Sequence, residues 1–89
     1  MADHISPPWR APLMRLLVDV AAAYNTTSQH LRGPQRQKTL VEARAEFCRR
    51  AYATGRWSST QIGIVINRDH TSVLYLAGLT AGSPWARQK

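Results

Sequence analysis

Leu13, Leu16, Leu17, Val20, Ala21 and Tyr24 recur at steps of three and four along PLMRLLVDVAAAY. That is the period of a helix with one buried face, and Pro12 is tolerated near its start. Asn25, Thr26 and Thr27 follow as turn or N-cap residues for a short helical turn ending near Arg32. Gly33 and Pro34 break it, and GPQRQK reads as an exposed basic loop. A second apolar stripe, Leu40, Val41, Phe47, Cys48, Ala51 and Tyr52, predicts a long helix. Thr39 and Glu42 have the spacing of a capping box at its start, and Gly55 stands where it should end.

The run STQIGIVI is ambiguous, because five apolar residues also suit a buried strand. Ser58 and Gln61 can form a further, weaker capping box, and no partner strand is visible, so a short buried helix is expected. Asp69 is then the N-cap candidate of a last helix carrying Val73, Leu74, Leu76 and Ala77 and ending near Gly78. The expected fold is all-α, a compact domain of four to five helices. Residues 12–79 form it. Residues 1–11 read as a flexible tail in which Ser6, Pro7 and Pro8 forbid helix and Trp9 is placed to fold back. Residues 80–89, with Gly82 and Pro84, read as a second tail.

Within residues 59–78 the spacing is that of a helix-turn-helix. Counting Ser59 as the first position, Gly63 is fifth, where only Gly or Ala fits between closely packed helices. Asn67 is ninth, where the turn wants a residue tolerant of left-handed geometry. Ile62, Ile66, Val73 and Leu76 fill the space between the two helices. The leading edge of the second helix, His70, Thr71 and Ser72, is where such a fold reaches base edges in the major groove. Each of these side chains offers a donor and an acceptor, and the Thr71 methyl suits a thymine methyl. Arg68, just before them, can bond a phosphate or a guanine, and the helix N-terminus favours a phosphate nearby.

Charge points the same way. Twelve Lys and Arg stand against five Asp and Glu, a formal net charge of +7 at a sequence pI of about 10.8. A polyanionic partner follows, nucleic acid before an anionic membrane. Arg32, Arg36, Lys38, Arg44, Arg49, Arg50, Arg56 and Arg68 all lie in the middle of the chain, although Arg49 and Arg50 also suit a plain solvated face. With one cysteine, Cys48, no disulfide and no cysteine zinc site can form within the chain, which fits a reducing, cytoplasmic setting. Cys48 reads as a small core residue. The N-terminal segment lacks the apolar run of a signal peptide, and no stretch approaches a membrane span.

The letters Asp69, His70 and Ser72 suggest a catalytic triad, but neighbours on a helix diverge by about 100° and cannot line up as acid, base and nucleophile. His4 and His30 lack metal-ligand spacing. No enzyme, catalytic residue, metal or cofactor is expected. Asp69 suits a plain N-cap as well as a functional position.

STQIGIVINRDHTSVLYLA resembles the C-terminal DNA-binding domain (domain IV) of the bacterial replication initiator DnaA, whose signature centres on Arg-Asp-His-Thr-Thr-Val. The resemblance extends back through LVEARAEFCRRAYATGRWS to VAAAYNTTSQHLRGPQRQK and covers about residues 13 to 78. It implies an all-helical domain that binds a short, asymmetric, AT-rich box in double-stranded DNA. It implies that Asp69, His70, Thr71 and Ser72 enter the major groove and that Arg36, with Lys38 beside it, enters the minor groove. Arg44, Ser58 and Ser59 would approach phosphates. Four departures stand out. Asn67 alone replaces two glycines, so the turn is one residue shorter. Ser72 replaces the second threonine. Gly33, Pro34 and Gln35 make the loop poorer in arginine. Pro84 interrupts the region of the family's final helix. The 89 residues also hold no ATPase domain.

The resulting expectation is a stand-alone, sequence-specific DNA-binding protein located with the nucleoid in the cytoplasm. It would be a transcription regulator of a phage-like or gene-transfer-agent cluster, acting on tandem sites or with a partner transcription or replication protein. The other class is a protein-interaction module or antagonist that kept the helix-turn-helix without specific DNA reading.

Overall fold

The elements follow from where the chain supplies starts and stops. The computed structural model describes residues 7–80 and 82–84, so the expectations for the remaining tail positions lie outside the described residues. Within them the chain is all-α, with α1 Arg10–Ala23, α2 Ser28–Arg32, α3 Lys38–Ala53, α4 Ser59–Ile66 and α5 His70–Leu76. Among the described residues there is no strand, and no helix is long and apolar enough to cross a membrane.

Helix α1 begins at Arg10, two residues before the expected start. Pro12 therefore sits inside the first turn, where a missing N–H has no intrahelical carbonyl to satisfy. The helix ends when Asn25 takes a positive φ of 57°. The Asn25 N–H then donates to the Ala22 carbonyl and the Thr26 N–H to that of Ala21, a Schellman closure. Thr27 caps α2 by accepting from the His30 N–H at 3.2 Å.

The start of α3 corrects the expected capping box at Thr39 and Glu42. Lys38 is already helical, the N-cap is Gln37, and no side chain caps this end. Thr39 lies inside the first turn, so its hydroxyl is not at the cap. Lys38, expected in the loop, opens the helix. The box at Ser58 and Gln61 does form, with both bonds present at 3.1 and 2.9 Å. It starts α4 and resolves STQIGIVI as helix. Helix α5 closes on Gly78, at φ 83°, with its N–H on the Tyr75 carbonyl and the Leu79 N–H on that of Leu74.

The core contains Leu13, Leu17, Leu31, Phe47, Ile62, Ile66 and Val73, all fully buried. Helix α3 packs on each of the other four, and α5 packs on α4 and α3. Tyr52, placed on the apolar stripe of α3 by its spacing, is instead exposed. Cys48 is fully buried, and burial pushes its thiol pKa up to about 12, which suits a packing group and not a nucleophile.

Trp57, read from sequence as part of a short connection, joins the core instead. Its indole N–H donates to the Trp9 carbonyl at 3.1 Å, and Trp9 itself packs against the core. The ordered domain thus reaches into what reads as the N-terminal tail. At the other end Ser83 is buried and its hydroxyl donates to the Tyr75 carbonyl at 2.6 Å, so that part of the expected tail lies against α5.

Candidate nucleic-acid interface

The turn between α4 and α5 consists of Asn67, Arg68 and Asp69. Asn67 is left-handed, φ 62° and ψ 45°, as its ninth position demands, and the Arg68 N–H donates to the Gly63 carbonyl at 2.9 Å. That bond draws the turn across Gly63. A methyl group there would overlap the Arg68 carbonyl oxygen and touch the carbonyl carbons of Arg68 and Asp69 at 3.4 Å. The close neighbour is the backbone of the turn, not the second helix, and alanine does not fit.

Asp69 caps α5. One carboxylate oxygen accepts from the Ser72 N–H at 3.0 Å and from the Thr71 hydroxyl at 2.9 Å. The Ser72 N–H, first, and then the Thr71 and Ser72 hydroxyls hold its pKa below the ordinary carboxylate value. Hydrogen bonds favour the charged form. A carboxylate with a lowered folded pKa stabilises the fold above its unfolded value and loses that contribution as pH falls through the folded one. Asp69→Asn keeps a good capping acceptor but removes the titration. Thermal unfolding below about pH 4 is therefore expected to be less pH-sensitive in Asp69→Asn than in wild type, and an unchanged acid limb would show that Asp69 is not a contributor.

His70 and Thr71 are exposed at the head of α5 and Ser72 is half-buried. Two clefts flank them. One is lined by Thr60, Gly63, Ile64, Asn67, Asp69 and His70, and the other by Arg36, Val41, Arg44, Ser72, Tyr75 and Leu76, while Arg68 borders both. The structure thus brings Arg36 of the loop beside Ser72 of α5. Lys38 is exposed at the start of α3. Ser58 uses its hydroxyl oxygen as the α4 cap, and Ser59 is half-buried.

Arg44 and Arg68 do something other than what was expected of them. Arg44 is 3% exposed. Its Nε donates to the Leu31 carbonyl at 2.8 Å, and its Nη2 to those of His30 and Gly33 at 3.1 Å each. The expected phosphate contact by Arg44 gives way to an internal one, because its guanidinium is turned onto the end of α2. Burial, then Arg68, then Arg36 lower its pKa. Arg68 donates through Nη2 to the Gly33 carbonyl at 2.7 Å and through Nη1 to that of Asn67 at 3.0 Å. It is half-buried and engaged with backbone, where its place before α5 suggests a bond to a phosphate or a guanine.

Two further residues carry weight that the sequence reading did not assign. Thr60 is exposed in the cleft beside His70; it lies at helical spacing from Gly63, Ile64 and Asn67, a signal that was legible. Arg32 donates through Nε to the Val65 carbonyl at 2.7 Å, and nothing local announces that. Arg49 and Arg50 both pair with Glu46 on the outer face of α3. Among the described residues no group of three His, Cys, Asp or Glu is placed to hold a metal ion.

No protein-family model, no curated protein and no solved structure matches this chain.

Proposed function

We propose that this chain is a sequence-specific double-stranded DNA-binding protein. It acts as a transcription regulator that reads a DnaA-box-like site with α4, the turn and α5 working as a helix-turn-helix. The observation that carries this reading is a capped helix head bearing exposed His70 and Thr71, next to a basic loop whose Arg36 borders the same cleft as Ser72 of that helix. A recognition helix offers its first residues to base edges in the major groove, and an arginine on a neighbouring loop can reach an adjacent minor groove. The net charge of +7 supports a polyanionic partner.

The geometry also redistributes the tasks. Arg44 and Arg68 spend their donors on backbone carbonyls. Outward phosphate contacts fall to Arg36 and Lys38, which are exposed. Asp69 holds Thr71 and Ser72 in place. With its proton given to Asp69, the Thr71 hydroxyl faces a base as an acceptor and presents its methyl for apolar contact.

The test is a gel-shift series on random and selected duplexes at rising salt. Wild type is expected to bind with affinity that falls as salt rises, because phosphate contacts release counterions. His70→Ala and Thr71→Ala are each expected to cost about 1–3 kcal/mol on the preferred sequence and to spare non-specific binding. Absence of binding at low salt, or an unchanged base preference in both variants, would overturn the proposal. A protein-interaction module is the second reading. It is favoured by exposed Ile64 and Tyr75 at the two clefts, and it predicts those same negative results.

A further inference from the structure

The basic loop and the turn before α5 are more than thirty residues apart in sequence, and α2 does not pack on α5. Besides the packing of α2 on α4, what joins them is a set of hydrogen bonds from side chains to backbone. The Arg32 Nε donates to the Val65 carbonyl at 2.7 Å, and the Asn67 Nδ2 donates back to the Arg32 carbonyl at 3.1 Å. The Arg68 Nη2 reaches the Gly33 carbonyl at 2.7 Å, an oxygen it shares with Arg44. The bridge is reciprocal, since each side lends a side chain to the other's main chain. Its acceptors are carbonyls, so it fixes the path of the polypeptide and not merely a pair of mobile side-chain tips. Charged donors make such bonds stronger than neutral ones.

We infer that Arg32, Asn67 and Arg68 are positioning residues that set the distance between the loop bearing Arg36 and the head of α5, so that the protein accepts one spacing between the flank and the centre of its DNA site. This rests on the DNA-reading function proposed above. It deepens that function by assigning the spacing rule to residues that touch no base. The guanidiniums of Arg44 and Arg68 repel each other, yet both are held on one carbonyl. The bridge therefore keeps the loop against the turn at an electrostatic cost that a loop free to swing would avoid.

The experiment uses the full chain, selection from a random-sequence duplex library, and a double-mutant cycle. Asn67→Gly keeps the left-handed turn and removes the tether. Arg32→Met keeps the stem and removes the donors. Wild type is expected to enrich a single motif with one spacing between its flank and its centre. The Arg32→Met/Asn67→Gly protein is expected to enrich the same central bases with the flank at several spacings or none. Arg36→Ala is expected to weaken wild-type binding about tenfold and the double variant less than about twofold.

Retention of one spacing, with the Arg36→Ala loss still tenfold in the double variant, would overturn the inference. A wild-type protein that enriches no motif would instead overturn the DNA-reading function. Arg68→Lys, which keeps the charge but loses the fork, carries the same readings should the double variant fail to fold. In the free protein, backbone order parameters over residues 33–37 are expected to fall from about 0.85 in wild type to below about 0.6 in Arg68→Lys. Unchanged values would also overturn the inference, independently of any DNA.

Discussion

Gly63→Ala is expected to destabilise the domain by about 3 kcal/mol, the upper part of the range for overpacking. The added methyl would collide with the Arg68 carbonyl oxygen and press on the carbonyl carbons of Arg68 and Asp69. These are backbone atoms, so no rotamer change relieves the clash. The turn must move, and moving it stretches the Arg68 N–H bond to the Gly63 carbonyl and displaces the Asp69 cap. For a chain this small, a loss of that size is a large part of a total of about 5 kcal/mol. Urea unfolding followed by circular dichroism measures it. A loss below about 0.5 kcal/mol, the range of an ordinary surface substitution, would mean that the turn does not lie across Gly63 as described.

Arg44→Met is expected to cost a similar amount, about 3 kcal/mol, for a different reason. Methionine fills the space of the stem but leaves the Leu31 carbonyl without its donor and takes one of two donors from the carbonyls of His30, which keeps the Gly33 N–H, and Gly33, which keeps Arg68. Unmade bonds to buried polar groups cost more than made ones contribute. Lysine should restore little, because one ammonium cannot reproduce the fork of Nε and Nη2. Arg36→Ala provides the contrast. Arg36 is exposed, so its removal should leave stability within about 0.5 kcal/mol and act on the proposed DNA binding alone. Equal effects of the two substitutions on stability would contradict the inward placement of Arg44. Equal effects on binding, with stability unchanged in both, would return Arg44 to a phosphate contact.

How much of this was legible depended on the reach of each signal. Ser58 with Gln61, Asp69 with Ser72, and the left-handed Asn67 are interactions over a few residues, and their letters announced them. Gly63 was legible as a close approach but not in what approaches it. Thr39 misled because a capping motif is read by spacing alone, and the helix begins two residues earlier than that cap implies, at Lys38. Pro12 misled in a similar way, since a proline at the third position of a helix looks the same in sequence as one at its first.

The sequence by itself determined the helices, the caps of α4 and α5, the all-α class, the basic character and the polar head of α5, because periodicity and capping are settled by neighbours three and four residues apart. Only the tertiary structure decided which arginines face outward. A guanidinium on a long flexible stem has no local preference between solvent and a carbonyl eleven to thirty-five residues away. Arg44 and Arg68 turn inward because α2 ends beside α3 and the loop begins beside the turn. The Leu31 and Gly33 carbonyls there take donors from distant side chains, while the local chain pairs the His30 carbonyl through the Gly33 N–H. Arg36, three residues along the loop from Gly33, stays exposed at the cleft that Ser72 also lines.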